Sequence, residues 1–255
     1  MALIDCQFFS EVLGISCAMN VLLPEYQEKT RKKKYPVLWL LHGMGREYTG
    51  WERLTSIERY ARDADIAVVM PTVGAKSWYL NMASGPAYTT FMLEELPRIA
   101  RSFFPLSSLR KDNFIAGMSM GGYGAFHLAF LKPESFAAAA SFSGALDAAS
   151  MVAKKSREQW TTMHLEAAFG NLDKVAGSKN DLFHLAKTAL RSGKTLPKLY
   201  ACCGAKDRIL DQSQAFAKHA EKIGLPLTYE EHPVWEHEWG YWDQQIQNVI
   251  KWLPR

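Results

Sequence analysis

Short apolar runs alternate with amphipathic stretches along most of the chain. Residues 36–43 (PVLWLLHG) and 66–74 (IAVVMPTVG) are almost uninterrupted apolar runs, which predicts strands buried on both faces. Between them, residues 56–65 (SIERYARDAD) have a spacing that suits a short helix. Upstream, residues 9–23 form an apolar stretch that is broken near Gly14, which predicts a β-hairpin.

The same alternation continues to the end of the chain. Residues 89–104 (TTFMLEELPRIARSFF) have helical spacing, although Pro97 is tolerated in a helix only near its first turn or at a kink. Further strands are predicted at 113–117, 136–145, 198–204 and 227–234, and further helices at 122–132, 213–224 and 242–253. This order predicts an α/β fold with a mostly parallel central sheet and helices on both faces. In such a fold, reactive side chains gather at the carboxyl ends of the strands.

Length and composition favour a single unit. A chain of 255 residues with 48% hydrophobic content can bury a large core, and α/β folds of this length often form one domain. We therefore expect one domain over residues 1–255. Residues 146–196 are more polar and have helical spacing near 160–169 and 182–191, which predicts a helical excursion over the active face.

Charge and cysteine spacing argue against several classes of function. The formal net charge of +4 is small and the basic run at 31–34 is interpreted as a loop, so we expect no nucleic-acid partner. No run of about 18 apolar residues occurs. The first residues include Asp5 and Glu11 without a basic leader segment. We therefore expect a cytoplasmic protein without membrane association. The four cysteines include the apolar pair Cys202–Cys203 and show no CxxC spacing, which indicates buried thiols without metal or cofactor.

The stretch GMSMG, residues 117–121, carries candidate chemistry. It fits Gly-x-Ser-x-Gly, the turn on which a nucleophilic serine stands exposed between a strand and a helix. Such a serine is held in a strained backbone conformation, and side chains two positions before and after it would collide with the neighbouring strand and helix. A dinucleotide motif and a phosphate loop both lack their defining residues here. We therefore predict that Ser119 is a nucleophile.

A serine hydroxyl needs a base and an orienting acid to react near neutral pH. On this kind of turn the chain order is serine, acid, histidine. After the predicted strand at 198–204, the chain offers Asp207 and Asp211. Asp207 lies three residues beyond Gly204, where a strand-end loop can point it inward, whereas Asp211 suits a cap for the helix starting near residue 212. Asp207 is therefore the preferred acid.

Two histidines are candidates for the base. His232 lies in the last predicted strand, just before Pro233, which is typical of a surface or edge histidine. His237 follows in the loop before the final helix, where the base is expected, and we predict that it is the base. The remaining candidates lie on helical runs and are interpreted as structural or solvent-facing: His127, His164, His184 and His219.

Attack on an acyl carbonyl creates an oxyanion, which preorganised N–H donors stabilise. One predicted donor is the backbone N–H of Met120, directly after the nucleophile. The other is the backbone N–H of Met44, in the loop after the third strand, where LLHGMG ends. His42 is interpreted as a residue that shapes this loop through hydrogen bonds, not as a second base.

Four segments together resemble a known family. They are LLHGMGREYTGW, NFIAGMSMGGYGAF, SFSGAL and HEWGYWDQQIQNVIKWLP. They are similar to short-chain carboxylesterases of the tributyrin esterase type, within the esterase D and S-formylglutathione hydrolase family. The resemblance covers nearly the whole chain and implies the α/β-hydrolase fold and hydrolysis of small acyl esters without a cofactor. It also implies a triad of Ser119, Asp207 and His237, with oxyanion donors at Met44 and Met120. Residues 146–196 match the family's pattern least.

These predictions describe a serine carboxylesterase whose partner is a small-molecule acyl ester. Trp78, just after the fourth strand, is a candidate for lining a short acyl pocket. A thioesterase acting on S-formylglutathione stays open, since a triad does not distinguish oxygen from sulfur esters. A noncatalytic binding module on a hydrolase scaffold also stays open. So does a homo-oligomer, because symmetric pairs are common among soluble proteins, although no stripe marks an interface.

Overall fold

The core of the fold is an eight-stranded sheet in the order β1-β2-β4-β3-β5-β6-β7-β8. The computed structural model describes residues 1–25, 34–153 and 159–254, with the backbone alone described at 159–161. The strands are β1 (Ala2–Ser10), β2 (Ile15–Leu23), β3 (Val37–Leu41), β4 (Ala67–Pro71), β5 (Asn113–Met118), β6 (Ala138–Phe142), β7 (Lys198–Gly204) and β8 (Thr228–His232). Strand β2 pairs antiparallel with β1 and β4, and the other neighbours pair in parallel. The predicted mostly parallel sheet is confirmed.

Helices cover both faces of this sheet, as predicted. They are α1 (Gly50–Leu54), α2 (Ile57–Asp63), α3 (Tyr88–Thr90), α4 (Leu96–Phe103), α5 (Met120–Leu131), α6 (Ala148–Ala153), α7 (Gln159–Phe169), α8 (Leu182–Arg191), α9 (Leu210–Ile223) and α10 (Trp239–Trp252). Alternate residues of β3 enter two separate cores: Trp39 belongs to the core that also holds residues of α5, α8 and α9, and Leu40 to the core that also holds residues of α1, α2 and α10. None of the described helices has the length and apolar composition needed to cross a bilayer.

The register of the parallel strands brings several loops to one edge. Leu41 at the end of β3 pairs with Gly117 of β5, Met118 pairs with Phe142 of β6, and Gly204 of β7 pairs with His232 of β8. The segments that follow these strands therefore emerge side by side. These segments carry all the residues that the sequence nominates for a triad and an oxyanion hole.

Several element boundaries differ from the sequence-based expectation. Strand β1 begins at Ala2, not at residue 9, and its side chains alternate between exposed and half-buried positions over its first eight residues. This alternation is weak in the sequence because the exposed positions include the apolar residues Leu3 and Phe9. Strand β8 ends at His232, since Pro233 has no N–H for a ladder bond. Helix α6 was not predicted, whereas α7 and α8 lie where helical spacing was seen. Residues 31–33 of the basic run and 154–158 of the predicted excursion lie outside the described residues.

The helix predicted at 89–104 contains a π-helical turn at Phe91–Glu95, between α3 and α4. Within it, the Leu96 N–H donates to the carbonyl of Phe91, five residues earlier. Pro97 lies directly after this turn, at the second residue of α4, and both a proline and a π turn are places where a helix changes its regular hydrogen-bond pattern. Glu95 is buried and accepts hydrogen bonds from the Ser10 hydroxyl and from the N–H of Glu11 at 2.9 Å. One carboxylate thus ties the turn of the β1–β2 hairpin to the helical layer.

Candidate active site

Ser119 lies on a strained turn between β5 and α5. Its backbone has φ 56° and ψ −118°, a conformation that non-glycine residues rarely adopt. A Cβ on Gly117 would lie 2.4 Å from the carbonyl oxygen of Gly121. A Cβ on Gly121 would lie 2.6 Å from the carbonyl oxygen of Leu41. The crowding and the strain that the sequence motif predicts are both confirmed.

The loops after β7 and β8 bring the predicted acid and base to this serine. His237 Nε2 lies 3.1 Å from Ser119 Oγ. On the other side of the ring, Nδ1 lies 2.9 Å and 3.0 Å from the two carboxylate oxygens of Asp207. An ionised carboxylate only accepts hydrogen bonds, so Nδ1 carries the proton and Nε2 is free to accept one from the serine. The three nominated side chains therefore form one hydrogen-bonded series.

Asp207 is buried and heavily hydrogen-bonded. Burial acts to raise the pKa of this carboxyl, but hydrogen bonds from His237, the Ile209 N–H and Ser143 outweigh it and hold the pKa below its usual 3.8. The bond from the Ile209 N–H to Oδ1 measures 3.0 Å. Asp207 thus remains ionised and fixed in direction, which is what an orienting partner for an imidazole requires.

Ser143 was not identified from the sequence. It follows β6 with a positive φ of 44°, and its hydroxyl oxygen accepts a hydrogen bond from Trp242 Nε1 at 3.2 Å. Because the same hydroxyl also contacts Asp207, it links the acid to α10. The signal available in the sequence was its place directly after a buried strand, in the segment SFSGAL.

The alternative candidates occupy different positions. His232 Nδ1 lies 2.9 Å from the hydroxyl of Tyr241, so its ring is engaged at the edge of the sheet. Asp211 lies in the first turn of α9, which begins at Leu210, and the N-cap position belongs to Ile209. The expectation that Asp211 caps this helix was therefore wrong. The helix starts two residues earlier than its apolar spacing suggested.

Aromatic rings pack behind the predicted base. The ring of His237 meets Trp242 edge to face at 5.0 Å, and Trp242 in turn meets Trp239 at 5.1 Å. Trp239 packs against Trp51, which is buried and donates through Nε1 to the carbonyl of Leu41 at 2.9 Å. These contacts limit the rotation of the His237 ring.

Both predicted oxyanion donors lie on segments beside Ser119. Met120 is the first residue of α5, and the N–H groups of the first helical turn have no partner within the helix. Met44 follows Gly43, and a Cβ on Gly43 would lie 3.3 Å from Ser119 Cβ. The loop after β3 therefore passes in contact with the serine.

His42 is buried at the start of this loop. Its Nδ1 lies 2.8 Å from the carbonyl oxygen of Gly43, and its Nε2 lies 3.2 Å from the backbone nitrogen of Val73. Burial lowers the pKa of the imidazole, so the ring is neutral. These contacts agree with the interpretation of His42 as a residue that shapes the loop.

Trp78, the candidate pocket residue, is buried after β4. Its ring meets Tyr123 at 5.3 Å and Phe169 at 5.2 Å, both edge to face. It therefore belongs to an aromatic cluster that joins α5 to α7. Its contact with an acyl group stays a prediction.

The cysteines supply none of the three side chains of this series, although the Cys203 thiol lies next to Ser143 and Asp207. All four are free thiols; Cys202 and Cys203 are buried, as expected, whereas Cys6 and Cys17 are partly exposed, so the expectation of burial was wrong for these two. Over the described ranges, no group of three His, Cys, Asp or Glu side chains is arranged to hold a metal ion.

Comparisons with known proteins point to one family. The family model described as "Putative esterase" matches residues 10–253. FphF, a fluorophosphonate-binding serine hydrolase of Staphylococcus aureus, is 36% identical, with 100% of this chain and 98% of that chain covered and a TM-score of 0.91. The S-formylglutathione hydrolase FrmB of the same organism is 36% identical over 100% of this chain and 99% of that chain, with a TM-score of 0.88. The acetyl esterase of Caldicellulosiruptor saccharolyticus is 26% identical, with 100% of this chain and 99% of that relative covered.

These matches confirm the resemblance drawn from the sequence, including the α/β-hydrolase fold. They also leave the noncatalytic binding module without support, because the relatives are enzymes. The chain therefore belongs to the esterase family, within the esterase D and S-formylglutathione hydrolase group, and is a serine hydrolase that acts on ester bonds.

Proposed function

We propose that this protein hydrolyses short-chain carboxylic esters through an acyl-enzyme formed on Ser119. The observation that carries the proposal is the hydrogen-bonded series from Asp207 through His237 to Ser119, on a strained strand-to-helix turn. This arrangement supplies a nucleophile, a base with a fixed tautomer, and a buried carboxylate that stabilises the protonated base.

In the first half-reaction, Ser119 Oγ attacks the acyl carbonyl while His237 Nε2 takes the serine proton. Asp207 stabilises the imidazolium through Nδ1–H, and the oxyanion accepts hydrogen bonds from the N–H groups of Met44 and Met120. The tetrahedral intermediate collapses, the bond to the alcohol oxygen breaks, and the alcohol leaves with the proton from His237. The acyl group remains on the serine.

In the second half-reaction, water replaces the alcohol. His237 Nε2 takes a proton from the water as its oxygen attacks the acyl carbon, and the same N–H groups stabilise the new oxyanion. When the intermediate collapses, the bond to Ser119 Oγ breaks and His237 returns the proton to the serine. The carboxylic acid leaves and the enzyme regains its starting state.

The decisive experiment is a burst assay with p-nitrophenyl acetate and butyrate. We expect Ser119→Ala and His237→Ala each to lower kcat by about 10⁵- to 10⁶-fold, since removal of one triad member disables the unit. His232→Ala is the matched control, because His232 is the last residue of β8 and bonds Tyr241. Its loss should leave kcat within about threefold of the wild type. Equal turnover in the wild type and Ser119→Ala would overturn the assignment of the nucleophile.

The proposed preference for short acyl chains rests on Trp78 and its neighbours. The large buried rings of Trp78 and Phe169 meet at 5.2 Å and fill volume between the loop after β4 and α7, and one full-length relative is an acetyl esterase. In a series of p-nitrophenyl esters, kcat/KM should be highest between the acetyl and butyryl esters. An optimum at the octanoyl ester or beyond would contradict a short pocket.

A second candidate substrate is the thioester S-formylglutathione. The observation that favours it is the match to the S-formylglutathione hydrolase FrmB over the whole chain. The same triad would cleave the carbon–sulfur bond, with the thiol leaving in place of the alcohol. Comparison of kcat/KM for S-formylglutathione and for p-nitrophenyl acetate on one enzyme preparation separates the two candidates.

A further inference from the structure

The peptide group between Gly43 and Met44, which carries the Met44 N–H, is held by a hydrogen bond to its carbonyl oxygen. The Gly43 carbonyl belongs to this same peptide, and it lies 2.8 Å from His42 Nδ1. The Val73 N–H can only donate, so His42 Nε2 accepts and Nδ1 carries the proton. The imidazole therefore donates to the Gly43 carbonyl. This bond fixes the plane of the peptide and polarises it, so that the Met44 N–H is a stronger donor.

The preceding peptide is held by a second side chain, Tyr79. Its hydroxyl donates to the carbonyl of His42 at 2.8 Å. Tyr79 is completely buried, and burial raises the pKa of its hydroxyl well above the usual value, so the donor proton is retained. Two consecutive peptides of the loop beside Ser119 are thus anchored through their carbonyl groups.

The ring of Tyr79 reaches this position across helix α5. A Cβ on Gly124 would lie 2.5 Å from Tyr79 Cδ2, so the ring lies directly against the helix where a side chain is absent. Any larger residue at position 124 would displace the ring. The position of the Tyr79 hydroxyl is therefore set by the same helix that begins at Met120.

Tyr79 is carried on a strained turn. Trp78 and Tyr79 have φ values of 54° and 59°, a region that bulky residues rarely enter. The turn is fixed by the Tyr79 N–H, which donates to Ser77 Oγ at 3.3 Å, and by Thr89 Oγ1, which donates to the Tyr79 carbonyl at 2.8 Å. Strained residues persist where their surroundings over-determine them, and such sites cluster around catalytic machinery.

We propose that Tyr79 is a positioning residue for the oxyanion hole, which acts through the His42 carbonyl to aim the Met44 N–H at the developing charge. The inference rests on the proposed function. Tyr79 does not contact the reacting atoms; it acts on the backbone that does. Its loss should therefore weaken stabilisation of the transition state more than binding of the ground state.

The first test compares Tyr79→Phe with Tyr123→Phe. Tyr123 is also completely buried, and its hydroxyl donates to a backbone carbonyl, that of Asn180, at 2.7 Å. Both variants lose one buried hydrogen bond and keep their ring. We expect Tyr79→Phe to lower kcat by about tenfold to a hundredfold with little change in KM, below the ~10²- to 10³-fold loss for removal of a donor itself. Tyr123→Phe should keep kcat and show a similar fall in thermal stability.

A tetrahedral inhibitor supplies a readout that general destabilisation would not change. An alkyl trifluoromethyl ketone adds to the serine and places its oxyanion against the two N–H donors. For Tyr79→Phe, the inhibition constant should rise by the same factor by which kcat/KM falls. For Tyr123→Phe it should not change.

A second pair of variants tests the anchored loop if Tyr79→Phe folds poorly. In His42→Asn, the amide nitrogen can replace Nδ1 and keep the bond to the Gly43 carbonyl. In His42→Gln, the amide oxygen can replace Nε2 and keep the bond from the Val73 N–H. We expect the Asn variant to retain at least about tenfold more kcat than the Gln variant.

The outcomes separate this inference from the proposed function. If Tyr79→Phe and Tyr123→Phe have the same kcat and the same inhibition constant, or if the two His42 variants are equally active, the anchoring has no catalytic effect and the inference is overturned. If the wild type itself fails to hydrolyse p-nitrophenyl esters, the proposed function is overturned first, together with its oxyanion hole.

Discussion

The two sides of Ser119 are built in different ways. On the triad side, side chains contact side chains: His237 touches Ser119 and Asp207 directly. On the oxyanion side, the proposed groups are backbone amides, and the side chains of His42 and Tyr79 only hold the backbone that presents them. On the triad side, the chemical groups of the side chains would therefore carry out the reaction themselves. On the oxyanion side, the side chains only hold in place the backbone N–H groups that would do so.

Burial also has opposite results on the two sides. Asp207 receives enough hydrogen bonds to offset the effect of burial, so its pKa is lowered and it stays charged. For His42, burial dominates its hydrogen bonds, so its pKa is lowered and it stays neutral. An orienting acid has to be charged to stabilise an imidazolium, whereas a residue that shapes a loop only needs one fixed tautomer.

After the loss of Ser119 or His237 itself, the largest effect is expected on the triad side, from Asp207→Asn. The amide keeps the shape of the carboxylate but cannot stabilise the imidazolium or fix its tautomer, so kcat should fall by about 10⁴-fold. Asp211→Asn, in the first turn of α9, is the control and should remain within about threefold of the wild type. Turnover of nitrophenyl acetate measures both. An Asp207→Asn enzyme that keeps more than a tenth of wild-type kcat would contradict the role of this acid.

An intermediate effect is expected on the oxyanion side, from Gly121→Ala. The new Cβ would lie 2.6 Å from the Leu41 carbonyl oxygen and 2.7 Å from that of His42, both rigid backbone atoms. The loop after β3 must then move away from Ser119, and kcat should fall by about 10²-fold.

Gly50→Ala is the control for this substitution, because its nearest neighbour, the ring of Trp239, would be at an ordinary 3.6 Å. Thermal unfolding of both variants separates lost stability from lost geometry. Full kcat in a folded Gly121→Ala enzyme would show that the spacing between loop and serine has no bearing on the rate.

The smallest effect is expected from the thiol next to the triad. Cys203 is buried near Asp207, and burial raises the pKa of its thiol to about 12. The reactive thiolate is therefore scarce at mildly alkaline pH, and iodoacetamide should leave the activity of the native enzyme unchanged. Mass spectrometry of native and denatured samples counts the labelled thiols. Inactivation that proceeds in step with labelling of Cys203 would contradict this expectation.

Much of the sheet could be predicted because the central strands are short apolar runs. Such a run identifies a buried strand from local sequence alone, without knowledge of the strands that pair with it. Strands β3, β4 and β5 are fully buried, and their apolar sequences predict this burial. The residues of the proposed triad could be nominated because chain order and strand ends limit the choice to one serine, two acids and two histidines.

The residues that hold the site in place, such as Tyr79 and Ser143, could not be predicted in the same way. The positive φ of Tyr79 depends on bonds from Ser77 and Thr89, which are set by tertiary contacts and not by local preference. Ser143 bonds Trp242, ninety-nine residues away in the chain. A serine or tyrosine in such a place has no local pattern that distinguishes it from a packing residue.

The π-helical turn at Phe91–Glu95 constrains how this chain can change by insertion and deletion. A π turn accommodates one more residue than a regular α-helix of the same path. Removing a single codon from it would rotate Glu95 by about 100° around the helix axis, away from Ser10 and Glu11. The β1–β2 hairpin would lose its hydrogen bonds to Glu95 although no loop became shorter. The deletions that this helix tolerates are therefore limited by the hydrogen bonds between the Glu95 carboxylate and the β1–β2 hairpin, which is far away in the chain.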